Sequence, residues 1–315
     1  MTEAWRPDDD RPRRPSGPVR VRVPAKINLH LGVGPLRADG YHELTTVYHA
    51  IGLYDELTAR PGDTLTLTMA GEGAGELVLD DSNLIIRAAR ALARRTGLPA
   101  LARLHLRKHI PLAGGLAGGS ADAAAALVAC DALWGAGLSR EELAEVAVEL
   151  GSDVPFLVYG GTALGTGRGE IVSPVLVRPA NWHWVVAAAD GGLSTPEVYR
   201  ELDRLRGAGA APPPLGSTDP LLAALRQRDP GVLAQALGND LQAAALSLRP
   251  DLADTLAAGV AAGALTGLVS GSGPSCVFLT RTSDAATRIA AALKESGTCR
   301  SAEAVQGPMA GARVA

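Results

Sequence analysis

Cysteine and aromatic residues are both scarce in this sequence, and each shortage removes a class of reading. The three cysteines, Cys130, Cys276 and Cys299, are odd in number and widely spaced. That pattern builds neither a disulfide framework nor a CxxC metal or redox pair, and it fits a reducing compartment. With two Phe, four Trp and five Tyr, stacking partners are few, which gives weight to any aromatic placed at a turn. An excess of one charge is also lacking. Thirty basic residues against 33 acidic ones leave a formal net charge of −3, which offers no electrostatic footprint for nucleic acid. Long apolar runs are missing as well. The Ala- and Gly-rich stretches are interrupted at Asp122, Asp131 and Asp254, so none reaches the ~20 strongly apolar residues of a membrane span. Residues 1–18 mix Pro7, Pro12, Pro15 and Pro18 with Asp8, Asp9, Asp10, Arg11, Arg13 and Arg14, without the apolar centre of a secretory signal. They read as the disordered tail of a soluble, cytoplasmic protein.

What is there is a 315-residue chain, 47% hydrophobic, long enough for about two domains. A soft boundary near residue 165 divides it into 19–165 and 166–315. Val19 to Leu31 alternates as one or two strands interrupted at Pro24. Arg37 to His42 is turn chemistry, and Leu44–Leu57 and Thr64–Met69 alternate again. A helix is expected over 84–95, capped near Asn83 and closed by Gly97, and another from the Ser139–Glu142 capping box to about Gly151. Val154 to Leu164 reads as strand. The second half carries strand-like runs at 184–189 and 268–279, and helical patterns at 219–228, 231–245, 250–263 and 284–295. The mixture predicts two α+β lobes.

Between a strand over 102–110 and an Ala/Leu helix over 121–134 lies Pro111-Leu112-Ala113-Gly114-Gly115-Leu116-Ala117-Gly118-Gly119-Ser120-Ala121. Glycines let backbone approach a ligand closely, and the free N–H groups of the following helix favour an anion. The spacing from Gly114 to Gly119 is that of a Walker A loop, but Ser120 stands where its lysine belongs, so the cation must come from elsewhere. A dinucleotide fingerprint fits poorly, because the Gly-x-Gly-x-x-Gly spacing is absent. A tight turn that only packs helix on strand is the other reading of the loop taken alone.

The loop does not stand alone. Pro24-Ala-Lys-Ile-Asn-Leu29, Ala38-Asp-Gly-Tyr-His42, residues 111–125, Gly151-Ser-Asp-Val-Pro155 and Ser270-Gly-Ser-Gly-Pro-Ser275 follow in order along the chain. Together they resemble the GHMP kinases, the family of galacto-, homoserine and mevalonate kinases. The resemblance implies a ribosomal-protein-S5-like first domain that binds ATP and a ferredoxin-like second domain on the substrate side. It further implies MgATP as phosphoryl donor and, as acceptor, a small sugar alcohol carrying a cytidine diphosphate group. The enzyme would be a monomer or weak homodimer.

By the same resemblance Asp153 takes the proton of the alcohol, Lys26 supplies the cation that the glycine loop lacks, and residues 111–121 hold the triphosphate. Asn28, two residues from Lys26, shares its strand face and would contact substrate. Tyr41 and His42 would hold the cytosine, with Tyr199, in Thr195-Pro-Glu-Val-Tyr199, closing its other side. Residues 270–275 would pack beside the phosphate loop. Two positions depart from the family pattern: Ala117 implies that no positive φ is needed there, and Ala121 removes a hydroxyl from the loop. No carboxylate ligand for Mg²⁺ stands out. A homoserine- or mevalonate-type kinase, a silent nucleotide-binding module and a dehydrogenase remain as alternatives.

Overall fold

The computed structural model describes residues 17–177 and 180–315, so the expected tail lies outside the described residues apart from Gly17 and Pro18. The alternating residues that follow form β1, Val19–Leu36, which turns through Gly40 at φ 83° and returns as β2, His42–Arg60. Pro24 does not break β1. The pairing with β2 shifts register between Pro24 and Ala25, and an irregularity of this kind is where a strand loses least by lacking an N–H. Every residue from Val23 to Val33 is buried, which places this part of β1 inside the molecule on both faces.

The first sheet continues with β3, Thr66–Gly71, which reaches the parallel strand β4, Arg103–Lys108, through α1, Leu84–Thr96. The side chain of Asn83 accepts the Ile85 N–H at the start of α1, and Gly97 ends the helix in the left-handed region. The helix after the glycine loop, α2, Gly118–Trp134, has no polar face and is correspondingly buried against α1, β1 and β2. After α3, Arg140–Val148, the segment expected as strand from Val154 is helix α4, Val154–Tyr159. Pro155 suits a first helical turn, and a short apolar run carries no period that separates helix from strand. A hairpin of β5, Thr162–Thr166, and β6, Ile171–Pro174, then pairs onto β2. The proposed boundary near residue 165 falls inside this hairpin, and the chain leaves the first sheet after Pro174.

The second lobe begins with β7, Trp182–Ala188, and α5, Thr195–Gly207. The helical pattern of α5 is faint in the sequence because its charged surface leaves only Val198 and Leu202 buried. Next come α6, Asp219–Gln227, and α7, Pro230–Ala236. The helix expected over 231–245 is divided at the extended Leu237. A short strand, β8, Gly238–Asn239, lies parallel to β1 before α8, Gln242–Leu248, resumes. The chain closes with α9, Asp251–Ala261, β9, Thr266–Val269, β10, Cys276–Thr280, α10, Ser283–Ser296, β11, Ser301–Gly307, and β12, Arg313–Val314.

The second sheet has the antiparallel order β11-β7-β10-β9, the ferredoxin-like arrangement that the sequence resemblance implied. β12 returns to pair with β1, so the first sheet holds strands from both ends of the chain. At the seam between the lobes Gly307 packs directly on the imidazole of His49, where a Cβ would collide with the ring, and Trp184 lies 5.8 Å from it.

Candidate active site

A cleft of about 790 Å³ opens between the lobes. Lys26 reaches it from the buried middle of β1, with its Nζ 2.8 Å from Asn28 Oδ1 and 3.5 Å from Asp153 Oδ2. The strand period puts Lys26 and Asn28 on one face, as expected. Asn28 Nδ2 donates to Thr46 Oγ1 at 2.7 Å, and Thr46 donates to the His30 carbonyl at 2.7 Å. The lysine is therefore held by a chain of bonds across the β1–β2 hairpin.

Asp153 stands at the N-terminal boundary of α4, yet among the described residues its carboxylate makes no capping hydrogen bond. It turns to the cleft instead. Tyr48 donates its Oη to Asp153 Oδ1 at 2.9 Å, and the Asp153 side chain keeps 29% exposure against 6% for Lys26. Burial first, and then the neighbouring Asp153 charge, push the Tyr48 phenol well above its ordinary value, so it stays a donor. Tyr48 was not evident in the sequence. It lies in an alternating strand where nothing distinguishes it from a core aromatic, and it also stacks on Phe156 at 4.9 Å.

The glycine loop faces this pair. Ala113, Gly115 and Ala117 have φ of 46°, 75° and 56°. The expectation that Ala117 needs no positive φ is thus corrected, and Ala113 shares the strain, each at a cost of about 1 kcal/mol. Tertiary contacts hold the loop in this form. A Cβ on Gly115 would collide with the Ser270 carbonyl. Ser270 Oγ donates to the Gly115 carbonyl at 3.0 Å, Ser275 N to the Gly114 carbonyl at 3.2 Å, and Lys26 N to the Leu116 carbonyl at 3.2 Å.

With Ala117 left-handed, α2 starts at Gly118 without a side-chain cap, and its first N–H groups are open to an anion. Of the predicted loop residues, Ala113, Gly114, Gly115, Ala117, Gly118, Gly119 and Ser120 line the cleft. Leu116 and Ala121 are fully buried, so a hydroxyl at 121 would not face the ligand from this helix. Pro111 and Leu112 precede the cleft wall, Leu112 packing on Gly73 of the adjacent turn.

The far wall carries the other predicted residues. Thr195 Oγ1 and Ser272 Oγ lie 2.8 Å apart and tie the start of α5 to the turn at 270–275, whose Gly271 backs onto Lys26. His42 is nearly buried, stacks on Tyr199 with ring centroids 5.1 Å apart, and places Nε2 2.9 Å from Asp203 Oδ1. Tyr41 is 55% exposed, and the Arg168 guanidinium sits 5.0 Å from its ring centroid. Burial, reinforced by Asp153, pushes the Tyr199 phenol up. Arg168 and Asp203 were missed because they sit in charged surface segments with no motif around them. Among the described residues no cluster of three or more His, Cys, Asp or Glu is placed to hold a metal, and no helix is long and apolar enough to cross a membrane.

Comparison with known proteins identifies a family. The profile of the GHMP kinases N terminal domain matches residues 83–161, and that of the GHMP kinases C terminal matches 221–299. The 4-diphosphocytidyl-2-C-methyl-D-erythritol kinase of Salinispora tropica is 78% identical over 314 residues, 100% of both chains. The protein of the same name from Mycobacterium tuberculosis is 54% identical over 300 residues, 95% of this chain and 94% of its own. A crystal structure of 4-(cytidine 5'-diphospho)-2C-methyl-D-erythritol kinase superposes with a TM-score of 0.74 at 34% identity, over 91% of this chain and 98% of that one. A homoserine kinase from Cytophaga hutchinsonii reaches the same 0.74 at 20% identity, over 96% and 99%, so shape alone does not choose the substrate.

Proposed function

This chain belongs to the GHMP kinases, and we propose that within the family it uses ATP to phosphorylate the 2-hydroxyl of 4-diphosphocytidyl-2-C-methyl-D-erythritol, a step of the non-mevalonate isoprenoid precursor pathway. The observation that carries the reading is the meeting of Lys26, Asp153 and Tyr48 in the cleft opposite the uncapped start of α2. Phosphoryl transfer asks a protein chiefly for positioning and charge stabilisation, and these two walls divide that work.

The triphosphate lies along Ala113 to Ser120, where the loop amides and the α2 N-terminus meet its oxygens. ATP enters as MgATP. Ser120, which lines the cleft, would offer its hydroxyl oxygen to Mg²⁺, and the ion would supply charge neutralisation on the phosphates. Asp153 accepts the proton as the alcohol oxygen attacks the γ-phosphorus and ADP departs. Lys26 balances the charge that develops on the transferring group. Tyr48 occupies Asp153 Oδ1, so Oδ2, beside the Lys26 ammonium, is the oxygen that accepts the proton.

Tyr41, His42 and Tyr199 form the cytosine end of the cleft, with Asn28 and Thr195 nearer the alcohol. Asp203 fixes the His42 ring through Nε2, which sets the other nitrogen toward the base. The three unpaired cysteines support a cytoplasmic enzyme, and the reading takes it as a monomer or weak homodimer. The test is ADP release with three acceptors: the cytidine diphosphate alcohol, homoserine and mevalonate. Turnover with the first, and product phosphate at the 2-position by ³¹P NMR, is expected. Turnover with either of the others instead would overturn the substrate assignment.

A further inference from the structure

Only three lysines occur in the chain, Lys26, Lys108 and Lys294, and the second is enclosed directly behind the phosphate loop. Lys108 ends β4, and its Nζ lies 2.6 Å from Asp55 Oδ2 on β2 and 2.8 Å from Asp122 Oδ2 on α2. The three side chains are 0%, 0% and 5% exposed. Asp55 does more than pair with the lysine. Its Oδ1 accepts from His109 N at 2.6 Å and Ile110 N at 2.9 Å, gripping the chain where it leaves β4 for the loop. Lys108 passes that grip to Asp122 in the early turns of α2, just past the far end of the loop. A Cβ added to Gly118 would lie 3.1 Å from Lys108 Nζ, so the ammonium sits immediately beneath the first residue of the helix.

We propose that Asp55, Lys108 and Asp122 form a buried staple that ties the two ends of the phosphate loop together, with Lys108 and Asp122 acting as positioning residues for MgATP. The proposal rests on the reading of the loop as the triphosphate site. Its logic lies in what the tie spans. Between the fixed ends, Ala113 and Ala117 are held at positive φ, a conformation that alanine leaves when nothing constrains it. If the ends part, these residues relax and the loop amides rotate away from one another.

A tie of this kind is costly to bury, since two carboxylates and one ammonium leave water. Burial pushes the Asp122 carboxyl well up, against the pull of Lys108, and among the described residues Asp122 Oδ1 has no hydrogen-bond partner. Burial alone would lower the Lys108 amine, but the two carboxylates outweigh it and raise it. Apolar side chains would fill the space at lower cost. They would not link a sheet, a loop and a helix at fixed distances. The ammonium lies behind the loop rather than in the cleft, so it acts on the nucleotide through the backbone.

The test uses the full chain with both substrates. Asp122→Leu cuts the tie, whereas Asp122→Asn keeps an oxygen for the ammonium. Asp122→Leu is expected to raise KM for MgATP about tenfold, with KM for the alcohol within about twofold. Asp122→Asn recovers most of the loss, and Ala117→Gly added to Asp122→Leu recovers part, because glycine holds the left-handed form without the tie. If the leucine variant does not fold, Asp55→Asn serves instead: both Asp55 oxygens are engaged and asparagine has only one, so either the lysine contact or the backbone grip is lost and the same MgATP-selective rise is expected. Hydrogen exchange of residues 112–121 separates the two readings. Absence of protection by MgATP in the unaltered chain means that the triphosphate reading has failed. Protection by MgATP, together with an MgATP KM within twofold in the folded Asp122→Leu or Asp55→Asn chain, overturns the staple. A parallel rise in both KM values overturns it too.

Discussion

Two lysine–aspartate pairs lie on opposite sides of the phosphate loop, and they differ in nearly every property that matters. Lys26 and Asp153 are 3.5 Å apart at the cleft, with the carboxylate 29% exposed and bonded to a tyrosine. Lys108 and Asp55 are 2.6 Å apart and closed to solvent, with every oxygen of Asp55 engaged. A loose, half-solvated pair can exchange a proton and admit a third party. A tight, enclosed pair can only hold. On the proposed reading the same two residue types serve chemistry on one side and architecture on the other, and the difference is set by burial and by what the spare oxygens are doing.

Exchanging the lysines one at a time breaks this comparison most directly. Lys108→Met leaves two carboxylates buried without their counter-charge, and unfolding in urea should show a loss of about 3–5 kcal/mol. Lys26→Met should unfold close to the unaltered chain while kcat falls by about 10² or more, since its partner can be solvated through the cleft. Equal stability losses in the two variants would mean that the division between holding and reacting is wrong.

A third buried group sharpens the contrast by having no counter-charge at all. His49, at the seam between the lobes, bonds Thr162 Oγ1 through Nδ1 at 2.8 Å, and burial lowers its pKa to about 3. The folded state therefore refuses a proton that the unfolded chain accepts below about pH 6.5. Stability from this group is complete above that pH. It is lost on acidification at about 1.4 kcal/mol per pH unit until about pH 3. His49→Phe should flatten that part of the pH–stability curve, read as urea midpoints from pH 7 to 4.

The smallest effect concerns the loop between the two pairs. Ala117→Gly exchanges the strain of a left-handed alanine for the greater backbone entropy of glycine, and a net gain of about 0.5 kcal/mol is expected in the thermal midpoint. A loss of about 1 kcal/mol would place Ala117 in an ordinary conformation in solution.

How much of this was legible in the sequence follows the same division. Local and periodic features were readable: the hairpin around Gly40, the caps at Asn83 and Ser139, and the shared face of Lys26 and Asn28. The resemblance carried by the five motif segments pointed to Asp153 as proton acceptor and to Lys26 as the missing cation. Long-range backing was not readable. Nothing near Ala117 announces that the Ser270 hydroxyl and the Ser275 and Lys26 backbone amides hold the loop in its positive-φ form. Val154 to Tyr159 is a short apolar run whose helical form Pro155 suits but no period announces. Tyr48 and Asp203 acquire roles only from partners 105 and 161 residues away. Lys108 had one available signal. In a chain with 30 basic residues and only three lysines, a lysine directly before a glycine loop is a departure from the chain's own preference for arginine.

Asp153 is the proposed acceptor of the alcohol proton. Single-turnover transfer from MgATP to 4-diphosphocytidyl-2-C-methyl-D-erythritol, compared between the unaltered chain and Asp153→Asn, tests this directly. The expected result is retained binding of both substrates with the transfer rate reduced by about 10³. An asparagine variant that binds both and transfers at an unchanged rate would contradict it.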